Sequence, residues 1–270
     1  MSKNKINRTG EINVSNEGCI VKIIEYNNTL DIVVEFQDEH KYRVYTQYGC
    51  FKKGGCKNPF FPSVFGHGYL GIDKNGNVPK TTEFKDGKNI LTWEYTKWRE
   101  MLKRCFDNKY KERQPTYKDA TCSDRWLCFA NFLEDLGILK QECNWSKDEK
   151  LQLDKDILHK DNKVYSLENC ILVPDYINLL FTKRDARRGN YPVGVDYHKK
   201  NKKYRARCRI NGKRIGLGYY STPEQAFNAY KNAKENEVKR IANDCVSKGF
   251  MTKDSRLYNA MMGYQIKIDD

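Results

Sequence analysis

The feature that most constrains the fold is a basic segment in which cations alternate with residues that can pack. Residues 183–214 contain thirteen Lys or Arg and two Asp. The residues from 203 to 210 form two alternating sets: Lys203, Arg205, Arg207 and Arg209, and Tyr204, Ala206, Cys208 and Ile210. Because successive side chains of a β-strand point to opposite faces, this spacing predicts a strand with one cationic face and one packed face. An ordinary solvated face usually mixes signs, so the row of cations favours a polyanionic partner, and nucleic acid is the commonest one.

The composition of the whole chain agrees with such a partner. Its 270 residues carry a formal net charge of +14, which argues for nucleic acid or an anionic membrane surface. No run approaches the roughly 18 apolar residues of a spanning helix, and the N-terminus lacks the apolar core of a signal peptide. Ten scattered cysteines without a CxxC pair favour reduced thiols over disulfides or a zinc ribbon. We therefore expect a cytoplasmic protein with no membrane contact.

The pattern of apolar residues predicts an α+β protein of several modules. Residues 1–16 are polar and predict a flexible arm. Residues 17–75 predict a small β-barrel-like module or a curled sheet, because three apolar strands are separated by turns at 27–28 and 38–39. Residues 74–91 predict a polar linker.

Two amphipathic helices are predicted in the middle of the chain. Residues 92–106 place apolar side chains three or four positions apart on one face. Residues 124–136 do the same, with Ser123 as the N-cap and Gly137 as the stop. Aromatic side chains at this spacing are typical of a core rather than of a binding surface.

A ββα unit is predicted after these helices. It consists of a strand at 151–158, a polar loop, a strand at 170–173, and a helix from about Pro174, since proline suits the first helical position. Together with the two helices it makes up a predicted module over residues 92–182. A basic linker at 182–192 follows.

The last predicted module, residues 190–245, is a three-stranded antiparallel sheet packed on one helix. Its expected strands are 193–197, 203–210 and 214–220. Thr222 and Gln225 form a capping-box arrangement at the start of the helix. Residues 246–270 predict a C-terminal tail without assigned structure.

Three fragments of the last module carry a family resemblance: YRARCRINGKR, LGYYSTPEQA and a following AY. Together they resemble the plant ethylene-response-factor DNA-binding domain, which also occurs in phage and mobile-element nucleases. The resemblance implies a sheet lying in the major groove of double-stranded DNA. The expected DNA contacts are Lys203, Arg205, Arg207, Arg209, Lys213 and Arg214. A basic sheet without exposed stacking aromatics also suits a duplex groove better than single-stranded RNA.

The middle module carries a second resemblance. Its matching residues are Trp98, Met101, Arg104, Cys105, Trp126, Phe129, Phe132, Leu153, Asp154, Lys155, Tyr165, Asn169, Cys170 and Asn178. This pattern resembles phage-encoded HNH endonucleases over roughly residues 93–181, and the nine-residue step from Asn169 to Asn178 is the step those proteins have. The resemblance implies a metal-dependent DNA endonuclease of the homing type, acting in the bacterial host of a phage or mobile element.

The HNH resemblance assigns candidate site residues. Phosphodiester hydrolysis needs a cation on the scissile phosphate and a base for the attacking water. Asp154 or Asp156 would be the acidic ligand, and Asn178 the helix ligand, of one Mg²⁺ or another divalent metal. Asn169 would hold the loop between the strands.

The catalytic histidine of the HNH family has no direct counterpart in this sequence. Its position is taken by Lys155, or by Ile157 if the register is set on Asp156, and His159 lies nearby. Three interpretations stay open: His159 is the base, Asp156 is the base, or the module is an inactive nuclease fold retained for DNA binding. Under the last interpretation the protein would block or regulate a host or phage nucleoprotein.

Overall fold

The computed structural model describes residues 6–146, 148–182 and 191–270. Helices and strands both contribute to these residues, which confirms the α+β class. The chain divides into two compact units, residues 1–134 and 135–270. The boundary falls inside the segment 92–182 that the sequence predicts to be one module. Most of the predicted basic linker at 182–192 lies outside the described residues.

The first unit begins with an open antiparallel sheet of four strands. These are β1 Ile12–Val14, β2 Ile20–Asn28, β3 Asp31–Phe36 and β4 Arg43–Thr46. The order is β1-β2-β3-β4, so β1 and β4 are edges, and of the two predicted arrangements the sheet does not form the closed barrel. Strand β1 also lies within the predicted flexible arm 1–16. It is ordered because it pairs with β2 and because the Asn13 side chain donates to the carbonyl of Phe51 at 2.6 Å.

One face of this sheet carries the core of its module. The buried residues are Val21, Ile23, Ile32, Val34, Phe36, Phe51 and Cys56. The short helix α1 Tyr48–Lys52 follows β4. The turn between β2 and β3 lies at residues 29–30 rather than at the predicted 27–28, because Asn28 still pairs with Asp31 across the hairpin.

A hairpin and two helices follow in the first unit. The elements are β5 Thr82–Lys85, β6 Lys88–Leu91, α2 Trp93–Phe106, α3 Asn108–Arg113 and β7 Thr121–Cys122. Helix α2 matches the helix predicted at 92–106. The β5–β6 hairpin lies in the predicted polar linker 74–91, and its Asp86-Gly87 turn has positive φ at both residues, as a type I′ turn requires. Every residue of the two strands is exposed, so the apolar alternation that predicts a strand is missing.

Helix α4 Phe129–Glu142 begins and ends later than the predicted helix 124–136. Residues Asp124–Leu127 form a separate 3-10 turn before it. The predicted stop at Gly137 is wrong, because the buried stripe of the helix continues through Leu139.

The second unit contains a ββα arrangement at the predicted place. Its elements are β8 Leu151–Asp154, β9 Val164–Tyr165, β10 Ile171–Pro174 and α5 Asp175–Phe181. Strands β8 and β10 are antiparallel. The predicted strand 151–158 ends at Asp154, because the Asp154 carboxylate accepts the N–H groups of Asp156 and Ile157 and turns the chain out of the sheet. Pro174 closes β10 and precedes α5 rather than starting it.

The second unit also contains a three-stranded sheet and two further helices. The elements are β11 Val195–His198, β12 Lys203–Ile210, β13 Lys213–Tyr220, α6 Pro223–Ser247 and α7 Arg256–Met262. The strands form an antiparallel sheet in the order β11-β12-β13. The Asn211-Gly212 turn has positive φ at both residues, which is again type I′. Thr222 caps α6 by accepting the N–H of Gln225 at 3.3 Å.

Helix α6 belongs to two cores within this unit. Its first half contacts all three strands of the sheet and buries Ala226 and Phe227. Its second half enters another cluster through Val238, Ala242 and Cys245. The other buried members of that cluster are Cys143, Ile157, Ile171, Val173, Ile177, Met251, Leu257 and Met261. The predicted tail 246–270 is therefore part of a core that it shares with the ββα unit.

Arg256 fixes this C-terminal segment to the loop before β10. Its guanidinium forms an ion pair with Glu142. It also donates to the carbonyl oxygens of Leu167, Glu168 and Cys170 at 3.2, 2.7 and 3.2 Å. One side chain thus satisfies several backbone acceptors that have no strand partner.

The packed tail leads to a prediction about stability. Replacing the fully buried Leu257 by Ala should lower the free energy of unfolding by about 2–5 kcal/mol, because the methyl groups leave a cavity. The matched control is Leu179→Ala on the exposed side of α5, which should stay within about 0.5 kcal/mol of the unchanged protein. Urea unfolding of both variants measures the difference. Equal effects would mean that α7 contributes nothing to the core.

Candidate nucleic-acid interface and candidate metal centre

The three-stranded sheet has one packed face and one open face. Ala206 and Cys208 of β12 are buried on the side of α6. The alternate residues lie on the other side, which we call the cationic face; it is defined by Lys203, Arg205, Arg207, Arg209 and Arg214. The alternation read from the sequence therefore corresponds to the observed pleat.

The cationic face also holds an acid, Asp196 on β11. Asp196 lies opposite Arg205, and its Oδ2 accepts from Arg205 Nη2 at 2.7 Å. Its Oδ1 lies 2.8 Å from Arg207 Nη2. Partial burial acts to raise the pKa of the Asp196 carboxyl, but the two guanidinium groups outweigh it and lower the pKa. The sequence of either strand alone does not indicate the contact between Asp196 and the arginines. It follows only when the predicted strands 193–197 and 203–210 are paired.

The register of the β12–β13 hairpin separates two neighbouring cations. Arg214 lies opposite Arg209, and both are exposed on the cationic face. Lys213 lies opposite Ile210, so its side chain starts on the side of α6. The two-residue Asn211-Gly212 turn fixes this register. Lys213, which is a predicted DNA contact, therefore starts on the opposite side of the sheet from Arg209 and Arg214.

Aromatic side chains border the cationic face, contrary to the expectation from sequence. Tyr219 lies opposite Arg205 and is 43% exposed. The His198 ring lies 5.1 Å from the Tyr219 ring. The Asp196 carboxylate raises the pKa of Arg205, and a hydrogen bond to Tyr219 adds a smaller effect in the same direction. A bulge in β13 opposite residues 206 and 207 breaks its two-residue alternation. The sequence pattern alone therefore does not place Tyr219 on the cationic face.

Asp154 is the candidate metal ligand with the clearest structural signature. It ends β8, and its Oδ1 accepts the backbone N–H groups of Asp156 at 2.7 Å and Ile157 at 2.8 Å. Burial raises the pKa of the Asp154 carboxyl, and these two hydrogen bonds do not fully offset that effect. The carboxylate is therefore held in place but poorly compensated.

Lys155, at the position for which the HNH resemblance predicts a histidine, is buried and forms an ion pair. Its side chain is 5% exposed, and its Nζ donates to Asp156 Oδ1 at 2.7 Å and to the carbonyl of Asn162 at 2.6 Å. It also lies over the Tyr165 ring. These hydrogen bonds tie the loop after β8 together through the Lys155 side chain. Its partner Asp156 is exposed and already engaged in the ion pair.

The remaining candidates occupy the loop and the helix. Asn169 donates to the carbonyl of Val164 at 3.3 Å, which agrees with a loop-holding role. His159 is exposed, and within the described part of the chain no side chain hydrogen-bonds to its imidazole. Asn178 lies on α5, which contacts β8 and β10, and its side chain is half-buried.

Asp154 and Asn178 carry oxygen atoms of the kind that bind Mg²⁺, but they are not part of a closed protein cage. Among residues 6–146, 148–182 and 191–270, no three His, Cys, Asp or Glu are grouped to hold a metal. Mg²⁺ is commonly held by one or two protein oxygens together with water and phosphate oxygens. Asp154 and Asn178 supply that kind of donor, and the poorly compensated carboxylate of Asp154 suits a cation.

Comparison with known proteins finds no match to a family model, to a curated protein or to a solved structure. Within the described residues, no helix is long and apolar enough to cross a membrane. The functional interpretation therefore depends on the geometry of the sheet and of the ββα unit.

The raised pKa of Asp154 gives a prediction with a definite sign. A carboxyl whose pKa is raised on folding stabilises the fold below its ordinary pKa of about 3.9, and that stability is lost as the pH rises through the higher folded pKa. Asp154→Asn keeps the acceptor oxygen but not the charge. It should therefore be more stable than the unchanged protein at about pH 7 in EDTA, with the gain vanishing at about pH 3.

Urea unfolding at the two pH values measures this difference. The control is Asp156→Asn, which removes the exposed partner of Lys155 and should give no gain at either pH. A loss of stability in Asp154→Asn at neutral pH would mean that the ionised carboxylate is well compensated.

Proposed function

We propose that the protein binds double-stranded DNA through the cationic face and cuts it with the ββα unit in a metal-dependent reaction. The observation that carries the proposal is the concentration of five cations on one face of a sheet whose other face is braced by α6. Like charges directly opposite each other, as at Arg209 and Arg214, destabilise a sheet in isolation. A bound polyanion would neutralise these charges, and the relief of their repulsion would contribute to the free energy of binding.

The dimensions of the sheet favour a DNA duplex. Three strands spaced about 4.8 Å apart are about 10 Å across. The major groove of B-DNA is about 12 Å wide and admits a β-ribbon, whereas the major groove of A-form RNA is too narrow for side chains to read. Direct contacts to base edges in the major groove would make the binding sequence-directed.

The ββα unit would supply the chemistry. A bound Mg²⁺ stabilises charge on the scissile phosphate. Asp154 and Asn178 would hold that ion, and Asn169 keeps the loop in place through Val164. His159, exposed in the loop after β8, is the side chain best able to take a proton from the attacking water.

A second candidate function is DNA binding without cleavage. The observation that favours it is the burial and ion pairing of Lys155 in the histidine position, which leaves no base at that position. The protein would then block or regulate a host or phage nucleoprotein, with the nuclease-like unit as a scaffold.

The binding interface can be tested with neighbouring cations. Replacing Arg209 and Arg214 together by Ala should weaken duplex binding and reduce the salt-dependence slope by up to about two, one for each lost phosphate contact. Lys213→Ala is the matched control, because it removes an adjacent charge from the other side of the sheet. Fluorescence anisotropy over a salt series measures both. If Lys213→Ala weakened binding more than the double replacement, the DNA would contact the α6 side of the sheet, and this would contradict the proposal.

Cleavage can be tested on supercoiled plasmid with Mg²⁺, with Mn²⁺ and with EDTA. We expect nicking or cutting with a divalent metal only. Asn178→Ala should remove most cleavage and leave DNA affinity nearly unchanged, whereas Leu179→Ala on the same helix should leave both cleavage and DNA affinity nearly unchanged. His159→Ala should lower the rate about 100-fold or more if the imidazole is the general base. Absence of cleavage with any metal on a bound duplex would select the binding-only function.

A further inference from the structure

Asp196 is an unexpected group in a surface that would face phosphates. It contributes a negative charge to the cationic face, which weakens attraction to a polyanion. Arg205 approaches it with two nitrogens, Nη2 at 2.7 Å from Oδ2 and Nε at 3.4 Å from Oδ1. Arg207 approaches the same carboxylate at 2.8 Å. A single acid thus holds the two central arginines of β12.

Asp196 restricts the orientation of Arg205 and Arg207 but does not use all of their hydrogen-bond donors. A guanidinium has five N–H groups, so each arginine keeps donors that Asp196 does not use. The Nε of Arg207 is buried and has no hydrogen-bond partner among the described residues. Flexible arginines suit phosphates at any sequence, whereas arginines in a fixed orientation suit paired acceptors at base edges, such as guanine O6 and N7.

We propose that Asp196 is a positioning residue that makes the protein discriminate between DNA sequences. It orients Arg205 and Arg207 toward base edges with paired acceptors and lowers their availability to phosphates. This inference rests on the proposed DNA binding by the cationic face. A purely structural role for Asp196, tying β11 to β12, has a different signature, because its loss would weaken binding to all DNA equally.

The test compares two duplexes. Full-length unchanged protein selects a preferred duplex from a random library, and anisotropy then gives its affinity for that duplex and for a scrambled one. Asp196→Asn should bind the scrambled duplex more tightly, with a salt slope larger by up to about one. The ratio of the two affinities should fall about tenfold or more, since each oriented arginine–base contact carries discrimination of that size.

Two further variants separate positioning from charge. Glu224→Gln removes an exposed acid at the start of α6 and should leave the affinity ratio unchanged. Asp196→Glu keeps the charge and should recover part of the ratio. Circular dichroism and urea unfolding establish that each variant is folded.

Each outcome decides the inference. An unchanged ratio in Asp196→Asn, or an equal loss of affinity for both duplexes, overturns it. Unchanged protein that binds duplex DNA but selects no sequence also overturns it, while the proposed DNA binding stands. Unchanged protein that binds no duplex overturns the proposed function itself.

Discussion

Helix α6 is the element on which the second unit depends, because its 25 residues bury side chains in two cores. Its first half supports the sheet through Ala226 and Phe227, and its second half fills the cluster that contains the ββα unit and α7. Glu237 in the middle of the helix accepts the N–H of Asn211 at 2.8 Å, which ties the helix to the β12–β13 turn. Its ion pair with Arg240 lowers the pKa of the Glu237 carboxyl, so the buried acceptor stays charged.

This shared helix changes how the predicted modules relate to function. A segment cut at residues 190–245 would expose Val238, Ala242 and Cys245, which are buried in the other cluster. The sheet and the ββα unit are therefore joined by a continuous helix in addition to the chain that precedes β11. Under the proposed function, the position of cleavage would be set at a fixed distance from the bound sequence, since a helix bends much less than a linker.

The sequence predicts the elements whose signals are local. The alternation of β12, the type I′ turn at Asn211-Gly212 and the Thr222 cap all depend on residues within a few positions of one another. Strand β1 pairs with the next strand, β2, but it is only three residues long and lies in a polar segment, so its composition does not predict a strand. The helix of the tail packs against residues far along the chain, which its own sequence does not reveal. Candidate site residues were found by pattern, but Asp196 required a cross-strand pairing, and the burial of Lys155 required the folded loop.

Under the proposed function, binding and cleavage would place opposite electrostatic demands on the two sites. The cationic face would bind through several charges, of which Lys203, Arg209 and Arg214 are exposed, so that losing one of these would have a graded effect. Cleavage by the ββα unit would instead depend on one carboxylate, Asp154, whose pKa is raised by burial and whose charge a bound cation would compensate. The charge of Lys155 offsets the effect of burial only in part, because its Nζ donates to Asp156 and to a loop carbonyl. Under the proposed function, cleavage at this place would therefore still need a metal for charge, and His159, Asp156 or solvent for a base.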